Sequence, residues 1–497
     1  MIKGHLTSWL KKIPGLFLSS LSVLPLMVLS YLAYKSDGPL ATEGNAVGKP
    51  NILLILTDDQ AYNTIHALGG NEIFTPHLDS LAHSGVTFTN TFNMGSWQGA
   101  VCTASRTMLL TGMPLWEAQL SEKKIDDIIA TTGIWIQHLK AAGYETYMSG
   151  KWQGKTDVKA LFDHVLHANT GGPNQTPEGY NRPLSPNDSL WKPWDEKFGG
   201  FWKGGKHWSE VLADDALAHF DEIAKKETPF FLYLSFNAPH DPRQAPKKFV
   251  DRYPLDKISL PANYLDDYPY KEKIGSGVDS RDEKLAPFPR TPYAVKKNIQ
   301  EYYAIISHMD EQIGRILRAL ALSGKLNTTY VFFTSDHGLA VGHHGLMGKQ
   351  NMFEHSVRVP LIVSGPGIPK GEKREQQIYL QDIMATSYEL GGIKKPDQVY
   401  FNSIIPIVKN KKSSGYPEIY GGYMNLQRMV RTERYKLIVY PKAPKVLLFD
   451  LKNDPDEIRD VSDQASYKKV LQDMKERLIR QQSQLKDTLD LANALNM

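Results

Sequence analysis

Cys102 is the only cysteine among 497 residues, so no disulfide can form within the chain. The sulfur is either an inert buried thiol or a group with chemistry to perform. It lies in MGSWQGAVCTASRTMLLTGMP (residues 94–114), where residues 103–110 read as the opening of a helix. A helix start offers unpaired N–H groups and the positive end of the dipole, which favour an anion there. Arg106 follows one turn later, on the face of Cys102. Asp58 and Asp59 are adjacent carboxylates closing the apolar run NILLIL, and their repulsion is offset best by a divalent cation. Asp336 and His337 close a second such run, residues 329–334, and repeat the pattern of metal-ligating types after a strand. Lys151 comes just past residues 144–148, where it is either solvated surface or an anion contact. His240, behind Pro239, is suited to acid–base work, anion contact or simple turn capping. Lys349 lies beyond the sequence Gly-His-His-Gly at residues 342–345.

Those residues need a frame that gathers them. Residues 51–56, 230–236 and 329–334 are apolar without alternation, as expected of strands buried on both faces of a parallel sheet. Residues 86–91, 144–148 and 360–364 read as further strands. Ligands of open α/β sheets collect at the carboxyl ends of strands, where the candidate residues fall. Helices are expected at 75–83, 134–142, 208–225, 293–323 and 378–390, with His308 and Asp310 of the long one structural or solvated. Residues 166–205 and 251–292 read as long loops. Short strands at 428–432, 435–440 and 446–450, then a helix at 467–489, predict a small α+β second domain with an antiparallel sheet. It is expected from residue 415 to 497, after a catalytic domain at 50–414.

Hydrophobic content of 41% and charged content of 23% are those of a globular chain, and a net charge of +4 with no basic stripe excludes a nucleic-acid partner. Lys3, Lys11 and Lys12 precede an uncharged stretch, residues 13–34, the pattern of an export signal. At about 22 residues that stretch can also span a bilayer. A cleaved signal and a retained anchor within residues 1–36 both stay open, with 37–49 as a polar linker. The body is expected outside the cytoplasm: periplasmic, anchored at the inner membrane, or secreted. Tryptophans concentrate near these motifs and loops, and their faces suit sugar rings. Trp97, Trp152, Trp191 and Trp194 are the candidate sugar contacts; about half the tryptophans, Trp135 among them, are expected in the core.

Cys102-Thr103-Ala104-Ser105-Arg106, with Thr111-Gly112 after it, resembles the Cys-x-Pro/Ala-x-Arg signature of type I sulfatases. The ordered set of Asp-Asp, this signature, Gly-Lys, Pro-His, Asp-His-Gly and Lys, ending in Arg-x-x-x-Tyr-Lys-Leu at 431–437, extends the resemblance over residues 50–460. It implies an alkaline-phosphatase-like α/β fold, a large mixed and mostly parallel sheet flanked by helices. It also implies one calcium ion and oxidation of Cys102 by a maturation enzyme to formylglycine (3-oxoalanine), whose hydrate is the nucleophile. Asp58, Asp59, Asp336, His337 and the modified Cys102 match the metal positions, and Arg106 matches the residue that steadies the nucleophile. Lys151, His240 and Lys349 match groups that grip sulfate and help the leaving oxygen. His337 stands where many relatives carry Asn, although calcium prefers oxygen. Gln153 stands where the family usually has His, and is a candidate substrate contact. The expected substrate is a sulfated carbohydrate. The rivals are a phosphate or phosphonate ester hydrolase on the same fold and an inactive glycan-binding relative.

Overall fold

The computed structural model describes residues 48–153, 156–170, 176–180 and 185–495. The 1–36 segment and most of the 37–49 linker lie outside them. Among the described residues no helix is long and apolar enough to cross a membrane.

The run Asn51–Thr57 forms β1, and all seven residues are buried. The other strands are β2 (Val86–Phe92), β3 (Gly95–Ser96), β4 (Glu145–Lys151), β5 (His164–Asn169), the hairpin β6 (Trp202–Lys203) and β7 (Lys206–His207), and β8 (Phe230–Ser235). They continue with β9 (Thr329–Ser335), β10 (Arg358–Ser364), β11 (Glu372–Tyr379), β12 (Ile419–Tyr423), β13 (Gln427–Arg431), β14 (Tyr435–Tyr440) and β15 (Lys445–Asp450). Eight of them make the main sheet, in the order β11-β2-β10-β9-β1-β8-β4-β5. Only β10 runs antiparallel to its neighbours.

The missing alternation in β1, β8 and β9 has a direct cause: both faces are covered. Leu53, Ile55, Leu232 and Phe333 pack on one side with residues of the helices Trp208–Ile223 and Pro292–Leu322. Ile52, Leu54, Phe231 and Phe332 pack on the other with Leu109, Trp135 and Met384 from the helices Val101–Thr111, Trp135–Ala141 and Asp382–Gly391. The long helix starts at Pro292, where Thr291 accepts the Ala294 N–H at 3.2 Å. His308 and Asp310 within it are structural. Asp310 accepts the His77 and Leu78 N–H groups at the start of the helix Pro76–Ser84, and His308 meets Glu210 at 3.0 Å.

The second sheet is β15-β14-β13-β12-β3. It begins at Ile419 and borrows β3 from the stretch just before Cys102, so it reaches the candidate site. Gly95 makes this possible. Its φ is +96°, and a Cβ there would overlap the Gly422 carbonyl.

Three elements differ from expectation. Residues 372–379 form β11, so the helix expected at 378–390 begins only at Asp382; the charged run Glu-Lys-Arg-Glu lies along a sheet edge that charge protects from further pairing. Residues 164–169, read in part as loop, form the opposite edge strand. The final helix is Lys468–Gln484 and stops before residue 489, because Asp487 turns back to pair with Arg428 at 2.6 Å.

Candidate active site

Strand register assembles the site. Thr57 of β1 lies opposite Ser335 of β9, Leu56 opposite Ser235 of β8, and Ser235 opposite Gly150 of β4. Asp58, Asp336 and Lys151 therefore emerge side by side at the carboxyl ends of neighbouring parallel strands. Consecutive residues of an extended chain point to opposite faces, which would separate Asp58 from Asp59. Asp59 instead has φ +67°, a left-handed conformation that Asp tolerates better than most residues. Its N–H donates to Asp336 Oδ1 at 3.2 Å and its carbonyl accepts the Tyr302 hydroxyl at 2.6 Å. Both carboxylates then face one pocket.

The helix Val101–Thr111 points its N-terminus at that pocket, with Ala100 as its cap and no side chain closing the end. Cys102 is its second residue and is 2% exposed. Its sulfur lies 3.0 Å from Asp58 Oδ1, 3.5 Å from Asp59 Oδ1 and 3.0 Å from Lys349 Nζ. Arg106, one turn on, donates through Nε to Asp336 Oδ2 at 2.8 Å and through Nη1 to Ser235 Oγ at 2.6 Å. Its Nη2 is buried without a partner. Lys151 pairs with Asp58, and Lys349 reaches Asp59 Oδ2 at 2.6 Å. His240 Nδ1–H donates to the Asp241 carbonyl at 2.7 Å, which leaves Nε2 facing Asp59 Oδ2 at 3.6 Å.

Burial drives the electrostatics. It pushes the Cys102 thiol well up, and the carboxylates of Asp336, Asp58 and Asp59 push it further, so the unmodified sulfur is protonated and a weak nucleophile. Burial raises Asp59 against the pull of Lys349, and raises Asp336 as well. Asp58 is buried too, but Lys151, His240, Arg106 and Lys349 more than offset that and hold it well below the usual range. Burial, with Lys349, lowers His240 to about 4.

The donor set fits a divalent cation. Asp58, Asp59, Cys102 and His240 offer ligand atoms within 4.8 Å of one another. Of the expected metal ligands Asp336 and His337, neither is among these four; Asp336 accepts the Asp59 N–H at 3.2 Å and Arg106 Nε at 2.8 Å. His337 Nδ1–H is spent on the Gly338 carbonyl at 3.0 Å, and its Nε2 is buried without a partner, with a lone pair to give. Three acids (Asp58, Asp59, Asp336) balance three bases (Arg106, Lys151, Lys349). An arriving anion would leave that pocket net negative, and a divalent cation would reverse the sign.

Two of the four candidate sugar-contact tryptophans, Trp152 and Trp191, need correction. Trp152 and Trp191 are 4% exposed; Trp152 packs on Phe162 and Tyr233, and Trp191 on Phe198. Trp97 is 9% exposed, with its N–H on Glu122 at 3.1 Å. Trp194 is half-buried, with Lys247 over its ring at 5.3 Å. At Trp152 and Trp191 the indole faces are covered by the core instead of left for a ligand. Gln153 faces a cavity of about 270 Å³ along the helix of Cys102, shared with Gln98, Thr103, Thr107 and Glu122.

Several residues of the site escaped the sequence. Asn93 Nδ2 and Ser105 Oγ each donate to the Asp336 carbonyl at 2.8 Å. Ser235 anchors Arg106; a hydroxyl closing an apolar strand was a legible signal for it. Glu283 accepts the Met347 and Gly348 N–H groups at 2.9 Å each and pairs with Arg290, which fixes the loop carrying Lys349. Nothing local marks a residue that acts across 65 positions.

The sequence matches the Sulfatase family over residues 50–393 and the family "N-sulphoglucosamine sulphohydrolase, C-terminal" over residues 342–484. It is 28% identical over 462 residues to a sulfatase of Formosa agariphila, covering 86% of each chain. It is 25% identical over 540 residues to the N-acetylglucosamine-6-O-sulfatase of Bacteroides thetaiotaomicron, covering 94% of this chain and 91% of the relative. A solved structure of a protein in complex with its substrate D-glucosamine-2-N,6-O-disulfate superposes with a TM-score of 0.70 at 23% identity, covering 88% of this chain and 99% of that one. With two thirds of its length inside the first of those families, and with the expected residues converging on one pocket, the chain belongs to the sulfatases, hydrolases of sulfuric esters.

Proposed function

We propose that the protein removes sulfate from a sulfated carbohydrate, using formylglycine made from Cys102 and one calcium ion, and releases inorganic sulfate. The observation that carries this is the convergence of Cys102, three acids and three bases at the carboxyl ends of β1, β4 and β9. Formylglycine at residue 102 would supply a hydrate oxygen as nucleophile toward sulfur. Calcium, held by Asp58, Asp59, Asp336 and His337, would draw charge from the sulfate oxygens. The protonated state of the unmodified thiol supports a role for residue 102 only after its conversion.

The chain's own residues do the rest. Lys349 holds the group at position 102 in place. Lys151, fixed beside Asp58, would offer N–H donors to the sulfate from a buried position where such contacts are strong. His240 Nε2 carries the lone pair, because Nδ1–H is spent on the Asp241 carbonyl, so it would first take the proton of the attacking hydroxyl and then give it to the departing alcohol oxygen. The carbohydrate substrate is inferred from the named relatives that act on sulfated sugars. The basic and apolar N-terminal stretch of the sequence supports a body outside the cytoplasm, where a sulfated glycan would be met, and this reading calls for a maturation enzyme to convert Cys102 first.

The test compares turnover of 4-nitrophenyl sulfate and 4-nitrophenyl phosphate by protein co-expressed with a formylglycine-generating enzyme. Faster cleavage of the sulfate is expected. Faster cleavage of the phosphate would assign the site to phosphoesters.

A further inference from the structure

Arg281 belongs to neither the signature motifs nor the charge-balanced centre. It comes from the Pro- and charge-rich stretch 251–292, read from sequence as loop. Its Nη2 lies 3.4 Å from His240 Nε2, the nitrogen that faces Asp59. Its position is firmly set. Nε donates to Asp282 Oδ1 at 2.7 Å, and Asp241 Oδ2 lies 3.7 Å from Nη2. Those carboxylates are themselves held: Tyr180 donates its hydroxyl to Asp241 at 2.6 Å, and Gln350 donates to Asp282 at 2.9 Å.

Arg281 differs from the other cations of the site in one respect. Arg106, Lys151 and Lys349 have side chains 2%, 0% and 2% exposed and are committed to Asp336, Asp58 and Asp59. The Arg281 side chain is 44% exposed. Nε and Nη2 face the protein, while among the described residues Nη1 makes no hydrogen bond. A guanidinium fixed at the back and open at the front is arranged to meet a planar or tetrahedral oxyanion with little loss of freedom. Its contact in the site is with His240, whereas Lys349 and Asp58 are the groups against Cys102, so the scissile sulfate has other cations nearer to hand. Its place beside the leaving-group histidine is on the alcohol side of the ester.

We propose that Arg281 is a specificity residue that recognises a second anionic group, a sulfate or a carboxylate, on the sugar that carries the scissile sulfate. This rests on the sulfatase reading of the site. The preferred substrate is then a sugar with two anionic groups, either doubly sulfated or a sulfated uronate.

The test measures inhibition of 4-nitrophenyl sulfate turnover by matched sugars. One pair is glucosamine 6-sulfate against glucosamine 2-N,6-O-disulfate, which adds a sulfate. The other is glucose 2-sulfate against glucuronate 2-sulfate, which adds a carboxylate. In the wild type the dianion of one pair is expected to bind about tenfold more tightly than its partner, the size of one charge-assisted hydrogen bond. The pair that shows it identifies the anion. Arg281→Gln should bring that ratio to within about twofold, and Arg281→Lys should keep part of it. Loss of 4-nitrophenyl sulfate turnover alone does not move a ratio, so a merely structural role would leave the preference intact. No preference in the wild type, or one that survives Arg281→Gln, overturns the proposal while leaving the sulfatase reading in place. A matured wild type that does not cleave 4-nitrophenyl sulfate removes both.

Discussion

Lys349 Nζ lies 3.0 Å from the sulfur of Cys102, although 247 positions separate the two residues. The same ammonium lies 2.6 Å from Asp59 Oδ2, so one cation ties the nucleophile position to the acidic pair. The loop that delivers it is pinned by Glu283 through two backbone N–H groups.

Glu283→Ala should therefore harm both stability and turnover. It leaves Arg290 buried without its carboxylate and frees the Lys349 loop. Removing one partner of a buried pair costs about 3–5 kcal/mol, readable as a lower urea midpoint. Glu283→Gln, which keeps the shape and one acceptor, should lose less. An unchanged midpoint and turnover would show that Lys349 does not depend on this carboxylate.

Calcium should raise the melting temperature as well as turnover. Binding to the native state alone adds about 2.7 kcal/mol at a hundredfold excess over Kd. Burial raises the Asp59 and Asp336 carboxyls, so protons compete with the ion for them increasingly as pH falls. The thermal gain should shrink as pH falls, and Asp59→Asn should reduce it. A melting temperature indifferent to calcium and to chelator at neutral pH would count against the metal.

Buried histidines should make the fold acid-sensitive. Burial lowers His219 to about 4, beneath β4, where it meets Ser149 at 3.1 Å. A depressed native value means that the unfolded chain binds the proton first. The stabilisation is complete above about pH 6.5 and is lost as pH falls toward 4. His219→Gln should flatten the stability curve across that window in urea unfolding at stepped pH. An identical slope in the variant would show that His219 does not titrate in this way.

Gln153 occupies the place where the family usually has His, and its Oε1 is buried without a partner. It can hydrogen-bond but cannot take a proton at neutral pH. Gln153→His should keep or raise turnover of 4-nitrophenyl sulfate. A large loss would give Gln153 a positive role of its own, as a substrate contact in the cavity it shares with Thr103 and Thr107.

The legible parts of this molecule were those written locally. Unalternating apolar runs announced β1, β8 and β9, and the polar residues just past them, Asp58, Asp59, His240 and Asp336, are among those that converge on the pocket. β11 was hidden because an edge strand rich in charge carries no apolar period. β12 carries paired glycines, Gly421 and Gly422, which have no side chains to mark a strand, and the sheet and β3 close around them. Trp152 and Trp191 misled because burial, not residue type, decides whether an indole is a platform or core. Glu283, Asn93 and Arg281 act across long sequence separations, and only the folded chain reveals them.

The most direct test of the central proposal is free sulfate released from 4-nitrophenyl sulfate by matured wild type and by Cys102→Ala. The wild-type Cys102 peptide is first verified by mass as the lighter aldehyde form. Release by wild type and a loss of about ten-thousandfold or more in a folded Cys102→Ala variant is expected for removal of a covalent nucleophile. Sulfate release that persists in Cys102→Ala, or none from a fully converted wild type, would contradict the role assigned to residue 102.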